Sequence, residues 1–116
     1  AAAEYIVENG NKNVVLCERG IRTFETETRY TLDVSAIQMM KLKCNLPVIV
    51  DPSHAAGIGT IVPSLSLASV AAGADGLMIE CQINPEKSIS DASQTVDPIT
   101  VRSIHDNSVN LLGRLV

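Results

Sequence analysis

Three short apolar runs, each followed at once by charged or hydrogen-bonding side chains, restrict this chain to very few folds. The runs are Asn13-Val-Val-Leu-Cys17, Val48-Ile-Val50 and Gly76-Leu-Met-Ile79. Unbroken apolar runs of this length mark strands buried on both faces. Helical signals separate them. Ala1 to Asn9 reads as the end of a helix, with Gly10 as its C-terminal cap. Asp33 caps a helix running to about Lys43, with Ile37 and Met40 facing inward. Pro47 closes the loop before the second run. The segment from Asp51 to Thr60 is rich in Gly, Pro and Ser, and it leads into a helix ending near Ala72, capped by Gly73. Asp97-Pro98 starts a last amphipathic helix whose buried side carries Ile104, Leu111 and Leu115. The order α-βα-βα-βα is that of an α/β fold with a parallel sheet.

Composition narrows the function classes. With 116 residues the chain makes one small domain, and 46% hydrophobic residues allow it to bury a core. Aromatics are only 3%, so that core is aliphatic. A formal charge of -4 argues against general affinity for nucleic acid or for an anionic membrane. No apolar run approaches the roughly 20 residues that span a bilayer, and no signal peptide is visible. Cys17, Cys44 and Cys81 are odd in number and widely spaced, and they form neither a C-x-x-C pair nor a secreted disulfide framework. The expectation is a reduced, cytoplasmic protein whose three cysteines pack as small apolar groups, Cys81 being the one placed beside a ligand candidate. His105, on the last helix, is expected to be exposed.

The reactive side chains follow the strands. The first run leads into Cys17-Glu-Arg-Gly20, the second into Asp51-Pro-Ser-His54, and the third into Glu80. Ligands of parallel α/β folds gather at the carboxyl ends of strands, where the loops converge. His54, Glu80 and Asp91 offer one imidazole and two carboxylates, a set suited to a divalent ion such as manganese, iron or zinc. A lone loop histidine is more often an ordinary hydrogen-bonded group, and an Asp in Ile-Ser-Asp-Ala is most often a turn residue. Glu80 shifts the balance, because a carboxylate at a buried strand end needs a partner or water. Arg19, Arg22 and Arg29 share a polar segment with Gly20. Guanidinium groups read phosphate through paired, charge-assisted hydrogen bonds, and placement at a strand end raises Arg19 above the other two. Gly57-Ile-Gly59 is too short for a dinucleotide fingerprint.

These blocks resemble a known family. Cys17-Glu-Arg-Gly-Ile-Arg-Thr-Phe-Glu25, Pro47-Val-Ile-Val-Asp-Pro-Ser-His-Ala-Ala-Gly57, Gly73-Ala-Asp-Gly-Leu-Met-Ile-Glu80 and Asn84-Pro-Glu-Lys-Ser-Ile-Ser-Asp91 resemble four successive blocks of the metal-dependent 3-deoxy-7-phosphoheptulonate (DAHP) synthases, over residues 1 to about 97. Two of these blocks are shared with the 3-deoxy-octulosonate 8-phosphate synthases. Ile21-Arg-Thr-Phe-Glu25 and Thr28-Arg-Tyr-Thr-Leu-Asp33 point to the DAHP branch.

The resemblance implies a partial (β/α)8 TIM barrel, its three C-terminal βα units carrying strands six to eight. It implies that His54, Glu80 and Asp91 are three of four metal ligands, and that Arg19 holds the phosphate of phosphoenolpyruvate. The implied reaction joins C3 of phosphoenolpyruvate to the aldehyde of erythrose 4-phosphate, with water adding at C2 and phosphate leaving. The fourth ligand, a cysteine of strand one, and the Lys-Pro-Arg-Thr loop for erythrose 4-phosphate are not in this chain. The family usually has His two residues after the metal Glu. Gln82 stands there, and an amide cannot carry a proton.

A complete barrel needs about 250 residues. Residues 1–116 are therefore expected to be a single incomplete domain, inactive alone, with unpaired sheet edges that favour a homo-oligomer or a partner half-barrel. The alternatives are a non-catalytic remnant that binds metal or phosphate, and an octulosonate 8-phosphate synthase.

Overall fold

The computed structural model describes residues 1–115. The sheet contains β1 (Leu16–Glu18), β2 (Val48–Val50) and β3 (Gly76–Leu77) in that order, all parallel. Leu16 pairs with Val48 and Glu18 with Val50, while Val50 pairs with Leu77. Among the described residues five α-helices accompany the sheet: α1 (Ala2–Glu8), α2 (Val34–Lys43), α3 (Pro52–Ala56), α4 (Val62–Ala71) and α5 (Pro98–Leu115). Gly10 and Gly73 both have positive φ, +97° and +99°, just past the ends of α1 and α4, as expected of helix-terminating glycines.

The first run differs from expectation. A backbone hydrogen bond from Val14 to Lys12 O turns the chain, and the ladder begins only at Leu16. The run is also buried on one face only. Leu16, Val48, Val50 and Leu77 pack with Ile37 and Met40 of α2, whereas Val15 is 52% exposed and Cys17 is exposed. Cys81 is exposed as well and Cys44 half-buried, so packing as small apolar groups does not hold for Cys17 or Cys81. Partial desolvation of the sulfur, exposed residue though it is, and the nearby Asp51 carboxylate push the Cys17 thiol up, away from the reactive thiolate. The third ladder stops at Leu77, although Met78 N–H still reaches Val50 O at 2.8 Å.

A second cluster joins α3, α4 and α5 through Ala56, Val62, Val96 and Ile104, with Leu77 and Ile79 against it. Ile104 is buried and Leu111 half-buried, but Leu115 is 57% exposed, because the helix outruns the core it packs on. His105 is exposed, as expected.

Asp75 ties the bottom of the sheet together. Its carboxylate accepts Val48 N–H at 2.9 Å and meets Lys41 Nζ at 2.9 Å. The Val48 N–H, then Lys41, hold its carboxyl below the usual range. A carboxyl depressed in the folded state stabilises above its unfolded value, about 4, and that contribution is lost as pH falls through the folded value. Asp75→Asn should therefore lower the urea midpoint at pH 6, and the gap to the parent chain should close in strongly acidic buffer. An equal gap at both pH values would rule this linkage out.

Candidate metal centre

Each candidate side chain is placed by the way its strand ends. β2 runs directly into Asp51, whose carboxylate caps α3 by accepting His54 N–H at 2.9 Å. Asp-Pro is a helix start, with Asp as cap and Pro at the first position, where no N–H is needed. One turn later His54 returns over its own cap. Its Nδ1 lies 2.6 Å from the other Asp51 oxygen. Asp51 is 1% exposed. A buried carboxylate so close favours a proton on Nδ1, and it turns Nε2 toward Glu80 and Asp91.

Glu80 follows β3. Its N–H is held by Ser53 Oγ at 3.0 Å, and its carbonyl accepts Val96 N–H at 3.0 Å. The second contact draws the segment from Asp91 to Val96 against the end of β3, where Cys81 and Val96 form a bridge. Asp91 sits in the left-handed region, φ +53°, a conformation that Asp tolerates better than most residues. Its carbonyl is fixed by Thr95, through N–H at 3.2 Å and Oγ1 at 2.9 Å.

The three groups meet. Glu80 Oε1 is 3.3 Å and Asp91 Oδ2 3.6 Å from His54 Nε2. One ligand atom from each lies within 4.8 Å of the others. With Nε2 unprotonated, two carboxylates directed at its lone pair form an arrangement that a cation between them would satisfy. Ligand bonds of about 2.0–2.2 Å place neighbouring ligand atoms about 3–3.5 Å apart, close to the observed separations. The donor set therefore fits a divalent ion, and Asp51 braces the histidine as carboxylates do behind metal-bound imidazoles.

Arg19 lines the same cavity of about 280 Å³ as Asp51, His54, Met78 and Glu80. Its Nε is 3.7 Å from Asp51 Oδ2, and its side chain is 55% exposed. Among the described residues its side chain makes no hydrogen bond, so its terminal nitrogens are uncommitted. Gly20 has φ +97°, and a Cβ there would lie 2.7 Å from Tyr30 Cβ, so only glycine lets the next loop fold back across the site.

Residues 1–112 match the family described as DAHP synthetase I. The chain belongs to that family. It is 49% identical over 96 residues to the phospho-2-dehydro-3-deoxyheptonate aldolase of Thermotoga maritima, covering 83% of this chain and 28% of that protein. It is 35% identical over 98 residues to the 2-dehydro-3-deoxyphosphooctonate aldolase of Desulfosudis oleivorans, covering 75% of this chain and 34% of that protein. A solved truncated form of the Thermotoga maritima 3-deoxy-D-arabino-heptulosonate 7-phosphate synthase superposes with a TM-score of 0.94 at 43% identity, over 98% of this chain and 44% of that one. The chain thus spans less than half the length of these DAHP synthase and octulosonate synthase relatives.

Two participants escaped sequence reasoning. Asp51 was legible only as part of a strand-end block, although Asp and His three apart after a strand, with Pro between, is a helix-cap spacing that brings both side chains together. Arg29 ranked below Arg19, yet its Nη1 lies 3.1 Å from Asp91 Oδ1. Arg22 is exposed and lines a different pocket, with Thr23, Glu25 and Arg29. Gln82 folds onto its own loop, its Oε1 accepting Asn84 N–H at 2.6 Å.

Proposed function

We propose that this chain is the part of a DAHP synthase barrel formed by strands six to eight, a single incomplete domain that contributes His54, Glu80 and Asp91 as metal ligands and Arg19 as the phosphate anchor of phosphoenolpyruvate. The observation that carries the reading is the convergence of the three donors, from loops after two different strands, beside a guanidinium in one cavity. A bound divalent ion, whether manganese, iron or zinc, would supply Lewis-acid polarisation of the erythrose 4-phosphate aldehyde. The chain's own residues would do the rest. Arg19 would neutralise and orient phosphate while C3 of phosphoenolpyruvate approaches the aldehyde. Asp51 would keep the His54 lone pair turned toward the cavity. Gln82 would not move a proton, since an amide does not titrate.

Completion of the site from elsewhere accords with the surface. Beside the free edge of β3, an apolar groove of about 390 Å³ is lined by Leu77, Ile79, Val101, Ile104 and Leu112. Such an edge and groove favour another half-barrel or a second copy. No helix among the described residues is long and apolar enough to cross a membrane, which suits a cytoplasmic enzyme acting on phosphorylated sugars.

The test is phosphate release from phosphoenolpyruvate. With a divalent metal and erythrose 4-phosphate, the chain completed by the remaining strands of a barrel should turn over, and the 116-residue chain alone should not. The similarity to octulosonate aldolases supports a second reading. Turnover with arabinose 5-phosphate in place of erythrose 4-phosphate would favour it, and turnover with neither would leave a metal- or phosphate-binding remnant.

A further inference from the structure

His54, Glu80 and Asp91 are not held equally. His54 is braced by Asp51, and Glu80 is anchored through its backbone to Ser53 and Val96. The Asp91 carboxylate has one hydrogen-bond donor among the described residues, Arg29, which takes Oδ1 and leaves Oδ2 toward His54. The same Arg29 Nη1 donates to Gln94 Oε1 at 3.0 Å. Gln94 is 1% exposed and its Nε2 has no partner, so its acceptor is committed to Arg29 at the cost of a buried amide nitrogen. Arg29 is itself delivered across the site. Ile21 and Thr31 bridge in antiparallel fashion, and Arg29 N–H and Tyr30 N–H donate to Ala56 O and Ala55 O at 3.1 and 2.9 Å. Left-handed Gly57 clears the space, since a Cβ there would lie 2.6 Å from Arg29 Cβ.

We propose that Arg29 is a positioning residue that holds Asp91 by one oxygen, so that a single oxygen, Oδ2, is presented to the cation. This rests on the metal reading of the site. Two roles for the arginine predict opposite signs. As a mere like charge beside the cation, its removal would tighten metal binding. As a clamp, its removal frees the Asp91 side chain to rotate, and partners behind a metal ligand typically set its affinity by about 10–100-fold.

Cobalt(II) titration into the full chain, followed by its visible absorption bands, separates these. Arg29→Gln is expected to weaken cobalt binding on the order of tenfold and to alter the band shape. Arg29→Lys should recover most of both, because only one terminal nitrogen is used and an ammonium can replace it. Circular dichroism matched to the parent chain checks that the variants fold, and the lysine variant keeps the test intact if the glutamine variant does not. Unchanged or tighter binding in Arg29→Gln, or no recovery in Arg29→Lys, would overturn the clamp alone. No cobalt binding by the parent chain, or undiminished binding by His54→Ala, would overturn the metal reading and the clamp with it.

Discussion

His54→Ala should abolish divalent-metal binding, with an affinity loss of roughly a hundredfold or more, above the range expected for a residue behind the ligands. His54 Nε2 is the atom on which both carboxylates converge, at 3.3 Å for Glu80 and 3.6 Å for Asp91. Without it, two half-buried acids remain, and a pair of carboxylates alone holds cations weakly. Folding should suffer less than binding. Asp51 keeps the N–H of residue 54 as a donor and loses only the imidazole, a cost of about 1–3 kcal/mol for a buried acceptor partly stripped of partners. Isothermal titration with manganese or zinc, paired with a urea melt, reads both effects. Parent-like affinity in the variant would remove His54 from the ligand set.

The second large effect is on stability. Gly57 ends α3 with φ +69°, and a methyl there would meet Arg29 Cβ at 2.6 Å. Gly57→Ala therefore combines a left-handed penalty of about 1–2 kcal/mol with overpacking of about 1–3 kcal/mol. Since the contact is Cβ against Cβ, no flexible chain end can yield, and the loop from Ile21 to Thr31 must shift. Expected is a destabilisation of roughly 3 kcal/mol in urea unfolding, accompanied by weaker metal binding as Arg29 moves off Asp91. Wild-type stability in this variant would mean the loop is not packed on α3.

The sequence carried the βα order and β2 itself, because Val48-Ile-Val is bounded by Pro47 and Asp51 and nothing else competes. It also carried the three metal candidates, since each follows a strand or resembles a family block. The edges of β1 and β3 were less legible. Apolar residues continue where the ladder does not, and periodicity cannot tell a run buried on both faces from one with Val15 and Cys17 exposed. The short helix α3 was hidden inside a Gly- and Pro-rich stretch, although it begins with the same Asp-Pro signal that located α5. Arg29 was out of reach for a different reason. Its reach to Asp91 spans 62 positions and depends on a loop reversal set by Gly20 and Gly57, which no local pattern records.

The Ser53 hydroxyl, one residue before His54, holds the N–H of Glu80. Two of the three donors are therefore yoked through neighbouring backbone before any ion arrives, and they do not have to find each other from separate loops. The third donor reaches them from its own loop, where Arg29 holds it.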